Sequence, residues 1–218
     1  MYTAHVPEGD GPFPTLVALH GWGASAHDLL GLAPLLHGGE ALVLCPQGRT
    51  RVPIGPGMDG YGWFPLSGGR EPDLKEVDAA ARALRAFLAR ALDAYPVDRE
   101  KLVLLGFSQG GFMAYQLALG EPAGFAGLIA LSSWLPEPLA ASLAPRPEYA
   151  DLPTLVIHGT EDPMIPVERG QDSRTALLRL GVPTVYREYE MGHEIKPEAL
   201  REIAKWLEEK VLTPVILL

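Results

Sequence analysis

Cysteine is almost absent: Cys45 is the only one in 218 residues, so an intrachain disulfide is excluded. It closes the apolar run Ala41-Leu42-Val43-Leu44-Cys45, where a small buried thiol fits. Positive charge is scarce as well. With 18 Lys and Arg against 27 Asp and Glu the net charge is -9, and no basic run occurs, which argues against a nucleic-acid surface and against stable association with an anionic membrane. No apolar stretch approaches the ~20 residues of a membrane span, and Met1 to His5 lack a basic segment leading into an apolar one. A cytoplasmic protein is the expectation. The histidines and acids show no H-E-x-x-H or comparable spacing, so neither a metal nor another cofactor is expected.

What is present is a repeating order of strand-like and helix-like segments. Blocks rich in Val, Leu and Ile recur at Leu16–His20, Ala41–Cys45, Leu102–Leu105, Phe125–Leu131, Thr154–His158 and Val185–Tyr189, with helical segments between them. That alternation predicts a parallel sheet, and the near-continuous apolar character of the blocks predicts helices on both of its faces. Leu74, Val77, Ala81, Leu84, Leu88 and Leu92 recur at helical spacing over Asp73–Tyr95, bounded by Pro72 and Pro96. Further helices are expected over Gln109–Leu119, Glu168–Leu180 with Gly181 as its stop, and Pro197–Val211. The fold class is α/β, and residues 1–218 read as one domain. Gln47–Glu71 and the proline-rich stretch Trp134–Asp151 read as long loops at one sheet edge.

The chemistry centres on Gly106-Phe107-Ser108-Gln109-Gly110, which follows a strand-like run and opens a helix-like one. This is the context of the G-x-S-x-G turn, whose glycines let the chain bend sharply enough to expose the serine hydroxyl. A serine needs a base to take its proton, and His193 in Glu190-Met191-Gly192-His193-Glu194 follows the last strand, where that base is required. His5, His27 and His37 precede the serine in surface-like contexts, and His158 ends a strand. An acid should orient the imidazole from the loop after the preceding strand. Asp162 in Gly159-Thr160-Glu161-Asp162-Pro163 fits better than its neighbour Glu161, than Asp151 before the strand, or than Asp172 within a helix. Backbone N–H groups of Gln109 and of Trp22, in Leu19-His20-Gly21-Trp22-Gly23, are the candidates to hold a developing oxyanion. His20 then reads as structural.

At these residues the chain resembles the carboxylesterase, lysophospholipase and acyl-protein thioesterase family of α/β-hydrolases. Ala130-Leu131-Ser132-Ser133-Trp134-Leu135-Pro136 belongs to the shared set, and the pieces occur in the family's order over nearly the whole chain. The resemblance implies an α/β-hydrolase fold, Ser108, Asp162 and His193 as a catalytic triad, and Trp22 and Gln109 as oxyanion donors; no insertion is long enough for a large lid. In the segment Gly62-Trp63-Phe64 the family usually continues with an acidic residue, whereas Pro65 stands here, which implies a different substrate preference.

A serine carboxylesterase acting on short to medium-chain esters through an acyl-enzyme is therefore expected, with small-molecule ester or thioester substrates. The alternatives are an acyl-protein thioesterase or lysophospholipase using the same triad, and a catalytically silent binding fold. Trp63, Phe64, Leu66, Trp134, Leu135, Met164 and Ile165 are the candidates for an acyl pocket, though each would serve equally as core. The apolar tail Thr213–Leu218 must fold back on its own domain or meet a second copy in a homodimer.

Overall fold

A computed structural model of the chain describes residues 1–66 and 72–212. Its centre is a seven-stranded sheet in the order β1-β3-β2-β6-β7-β8-β9. Strand β1 is Tyr2–His5, β2 is Phe13–Leu19 and β3 is Leu42–Pro46. The hairpin β4 (Thr50–Gly55) and β5 (Met58–Gly62) stands apart from this sheet. Helix α1 (Leu74–Ala94) leads to β6 (Val97–Phe107), then come α2 (Gln109–Ala118), β7 (Gly127–Leu131) and the short α3 (Glu137–Ser142). The chain ends with β8 (Thr154–Gly159), α4 (Val167–Leu180), β9 (Thr184–Tyr189) and α5 (Pro197–Leu207). Within the seven-stranded sheet only β1 runs antiparallel, against β3.

The expected strand blocks form the sheet because their apolar residues supply both faces at once. Along β2, Val17 and Leu19 point into one core while Leu16 and Ala18 point into the other. Strand β6 divides in the same way, Leu102 and Leu104 against Val103 and Leu105. The first core is covered by α1, α2 and α4 through Leu84, Leu88, Phe112, Tyr115 and Leu177. The second is covered by α5 and the 3-10 segment Leu30–Leu35 through Ala33, Ile203, Trp206 and Leu207. Helix α1 begins where Asp73 accepts a hydrogen bond from the Lys75 amide (2.9 Å), and α4 stops at Gly181, whose φ of 84° is left-handed.

Four segments differ from the sequence-based expectation. The stretch read as the loop Gln47–Glu71 contains the β4–β5 hairpin, turning at Gly57 (φ 71°). Its signal is weak because the strands are studded with glycine and proline and bury few side chains. Strand β1 was not expected either: an edge strand of four half-exposed residues needs no apolar pattern, only a register of backbone partners, here Tyr2↔Pro46 to His5↔Val43. The stretch Trp134–Asp151 holds α3 and a 3-10 turn, Pro147–Asp151, and α5 gives way to a π-helical turn over Glu208–Leu212 where one continuous helix to Val211 was expected. No described helix is long and apolar enough to cross a membrane. The apolar tail Thr213–Leu218, and Ser67–Glu71 of the first loop, lie outside the described residues.

Strands β2 and β6 are neighbours, and the connection leaving the carboxyl end of β2 leads to β3 on one side while that leaving β6 leads to β7 on the other. A crevice opens at such a switch point in any open parallel sheet. The carboxyl ends of β2, β6, β8 and β9 carry Trp22, Ser108, Asp162 and His193 toward that edge.

Candidate active site

Ser108 sits between β6 and α2 with φ 54° and ψ -120°, a conformation that side-chain-bearing residues rarely adopt and that costs about 1–3 kcal/mol. The surroundings enforce it. The Ser108 N–H donates to the Leu131 carbonyl (2.9 Å), and the Ser133 hydroxyl donates to the Ser108 carbonyl (2.7 Å). Gly106 and Gly110 face each other across the turn so closely that a Cβ on Gly106 would strike the Gly110 backbone, and one on Gly110 would strike the Leu19 carbonyl. The turn is therefore held by contacts that only these two glycines allow, which leaves the serine at its apex.

The acid and the histidine come from two loops that are tied together. The Thr160 amide donates to the Tyr189 carbonyl (2.9 Å) and the Glu161 amide to the Met191 carbonyl (3.1 Å). Asp162 is anchored in its own turn: Oδ1 accepts from the Met164 and Ile165 amides, both at 2.9 Å. Its Oδ2 accepts from His193 Nδ1 at 2.7 Å, and the carboxylate is fully shielded from solvent. Burial pushes the Asp162 carboxyl upward, but the His193 hydrogen bond and the two amides outweigh it and hold the group below its ordinary value. A carboxylate at Oδ2 makes Nδ1 of His193 the protonated nitrogen and leaves Nε2 with a free lone pair. The imidazole also packs on the Phe107 ring, with centroids 4.8 Å apart.

His158, which the sequence reading set aside, lies beneath this turn. It is buried, its Nε2–H donates to the Ile165 carbonyl (2.9 Å), and Nε2 is 3.7 Å from Asp162 Oδ2. His20 is a structural bridge: Nδ1–H donates to the Gly21 carbonyl (2.8 Å), and Nε2 accepts from the Gly48 amide (3.0 Å). Burial lowers its pKa, which keeps this bridging tautomer neutral.

Ser108, His193 and Trp22 line one cleft of about 370 Å³. Among the described residues, the amide N–H groups of Trp22 and Gln109 have no intramolecular hydrogen-bond partner. The Gln109 side chain is engaged elsewhere: Oε1 accepts from the Trp63 amide and Nε2 donates to the Phe64 carbonyl, both at 2.8 Å.

None of the seven apolar residues expected to form an acyl pocket lines this cleft. Phe64 is sealed in the core against Phe112, and Trp63 is buried with its indole N–H donating to the His20 carbonyl (2.8 Å). Trp134 and Leu135 face a separate cavity beside α3 and α4. Ile165 is buried under Asp162, while Leu66 and Met164 are exposed. The apolar wall is built instead by Leu29, Leu32, Phe107 and Ile195. A signal for some of these was in the chain, since Phe107 and Ile195 adjoin Ser108 and His193 in sequence, within two residues each. Leu29 and Leu32 had none, because they lie at the start of and within a 3-10 segment, which lacks the periodicity that marks an amphipathic helix. Among the described residues no group of three His, Cys, Asp or Glu could hold a metal ion.

A mostly parallel sheet covered by helices, with a serine turn, an acid and a histidine at one edge, defines an α/β-hydrolase, and the protein is a serine hydrolase. The chain belongs to the phospholipase/carboxylesterase family, whose model matches residues 3–211. It is similar to acyl-protein thioesterase 1 of Mycosarcoma maydis, 31% identical over 221 residues covering 92% of each chain. Among solved structures it is similar to esterase PE8, with TM-score 0.81 and 27% identity over 96% of this chain and 98% of that one. It is also similar to Zea mays acyl-protein thioesterase 2, with TM-score 0.76 and 27% identity over 97% and 100%.

Proposed function

We propose that the protein is a carboxylesterase that hydrolyses short to medium-chain esters through an acyl-enzyme, with Ser108, His193 and Asp162 as its triad. The observation that carries this reading is the 2.7 Å bond from His193 Nδ1 to Asp162 Oδ2, on a histidine that shares its cleft with the strained Ser108. With Nδ1 committed to the carboxylate, Nε2 takes the Ser108 proton as Oγ attacks the substrate carbonyl. The oxyanion accepts from the otherwise unpartnered N–H groups of Trp22 and Gln109. His193 then returns the proton to the leaving oxygen, the alcohol departs, and water repeats the sequence on the acyl-Ser108 ester. Asp162 stays ionised throughout, consistent with its lowered pKa.

The cleft of about 370 Å³ lies toward the lower end of small-ligand sites, about 300–1,000 Å³, which supports short and medium acyl chains against the wall of Leu29, Leu32, Phe107 and Ile195. A thioester substrate is the second reading. It uses the same residues with a thiol as leaving group, and it is supported by the relatives named acyl-protein thioesterase.

Hydrolysis of p-nitrophenyl esters from acetate to laurate, beside thioesters of the same acyl groups, tests both readings. Turnover that disappears in Ser108→Ala, with an optimum below the longest chains, is the expected outcome. Thioesters cleaved more than tenfold faster than matched oxyesters would transfer the assignment to a thioesterase, and wild-type turnover that survives in Ser108→Ala would remove the serine mechanism.

A further inference from the structure

The mouth of the cleft carries a charge that the ester chemistry does not use. Asp28 and Glu194 both line the cavity that holds Ser108 and His193, and no Lys or Arg does. Glu194 has Lys196 Nζ 3.9 Å away, whereas Asp28 has no ion-pair partner among the described residues. Asp28 is also held in place. Its Oδ1 accepts from the Ser25 hydroxyl (2.9 Å), and its N–H donates to the Ser25 carbonyl (3.2 Å), a turn that begins three residues after Trp22.

We propose that Asp28 selects the leaving group by charge, favouring esters whose alcohol bears a positive charge, such as those of amino alcohols, and disfavouring anionic alcohols. This rests on the esterase reading above. In this proposal the acyl chain takes the apolar residues Leu29, Leu32, Phe107 and Ile195 of the lining, and the alcohol extends toward solvent past the exposed carboxylate of Asp28, which lines the same cavity. A carboxylate fixed at a cleft mouth raises the local concentration of cations and lowers that of anions. Because Asp28 is exposed, the effect is graded. Unit charges about 7 Å apart at an effective dielectric of roughly 40–80 change an equilibrium by about three- to sevenfold.

The experiment compares kcat/KM for three butyrate esters: butyrylcholine, its neutral isostere 3,3-dimethylbutyl butyrate, and the anionic butyrylglycolate. At about 10 mM salt the expected order is cationic over neutral over anionic by about three- to sevenfold per step, collapsing at about 1 M salt, where the screening length is about 3 Å. The ratios are read within each variant, so a general loss of activity cancels. Asp28→Asn brings them toward one and Asp28→Lys inverts them, while Glu194→Gln changes them less because Lys196 already offsets that charge. Neutral-ester turnover with cationic-to-neutral ratios equal in the wild type and Asp28→Asn overturns the role of Asp28 and leaves the esterase reading standing. Wild-type silence toward all three esters overturns the esterase reading and this proposal together.

Discussion

Replacing Gln109 by alanine separates the role proposed for its backbone N–H from the structural role of its side chain. Its backbone N–H has no intramolecular partner among the described residues, while its side chain, 1% exposed, clamps the segment after β5 by accepting from the Trp63 amide and donating to the Phe64 carbonyl. Alanine keeps the backbone donor and orphans both of those buried groups. Each orphaned group costs about 1–3 kcal/mol, so the pair amounts to about 4 kcal/mol. A protein of 218 residues loses about 2–4 °C of Tm per kcal/mol, which gives a fall of roughly 8–16 °C. Urea unfolding followed by tryptophan fluorescence, beside calorimetry, measures it. Gln109→Leu, which restores volume without the hydrogen bonds, should recover less than half of the loss. A variant within about 0.5 kcal/mol of wild type would refute the clamp, because that is the range of an ordinary surface substitution. At 25 °C the folded variant should retain ester turnover within about tenfold, since the donor proposed at position 109 belongs to the main chain.

Other outcomes follow from the same contacts. Asp162→Asn can keep the Met164 and Ile165 amides on its carbonyl oxygen, which turns its NH₂ toward His193 Nδ1; the wrong tautomer then forms, and kcat should fall about 10⁴-fold with the fold intact by circular dichroism. His20 and Asp162 both have lowered pKa values in the fold, so the unfolded chain binds their protons more readily and acid favours unfolding. Stability should therefore decline below about pH 6.5 through His20 and again below the ordinary carboxylate value near 3.9 through Asp162. Thermal scans from pH 8 to pH 4 would check the first step, which His20→Gln should flatten. Burial pushes the Cys45 thiol up to about 12, so a disulfide reagent at pH 8 should modify it only as fast as the chain unfolds, with stoichiometric reaction in denaturant.

The sequence by itself determined what depends on local pattern. Continuous runs of Leu and Val marked the buried parallel strands, because a strand covered on both faces has no polar side to show. Gly106 and Gly110 around Ser108 marked the turn, because no larger residue fits beside the Leu19 and Gly110 carbonyls. Chain order then singled out Asp162 and His193, each in the loop after a strand, and the structure brings them to 2.7 Å. Tertiary structure decided what depends on which segments meet. Trp63 and Phe64 looked equally suited to a pocket or a core; the Gln109 clamp draws them into the interior, and no periodicity in Gly62-Trp63-Phe64 encodes a partner 45 residues away. The cleft's apolar wall includes Leu32 from a 3-10 segment packed beside β3 and Leu29 at that segment's start, which share a cavity with Ile195 only once the sheet has formed. Likewise the charge at the rim follows from Asp28 and Glu194 sharing one cavity, 166 positions apart in the chain, a coincidence that only the closed fold creates.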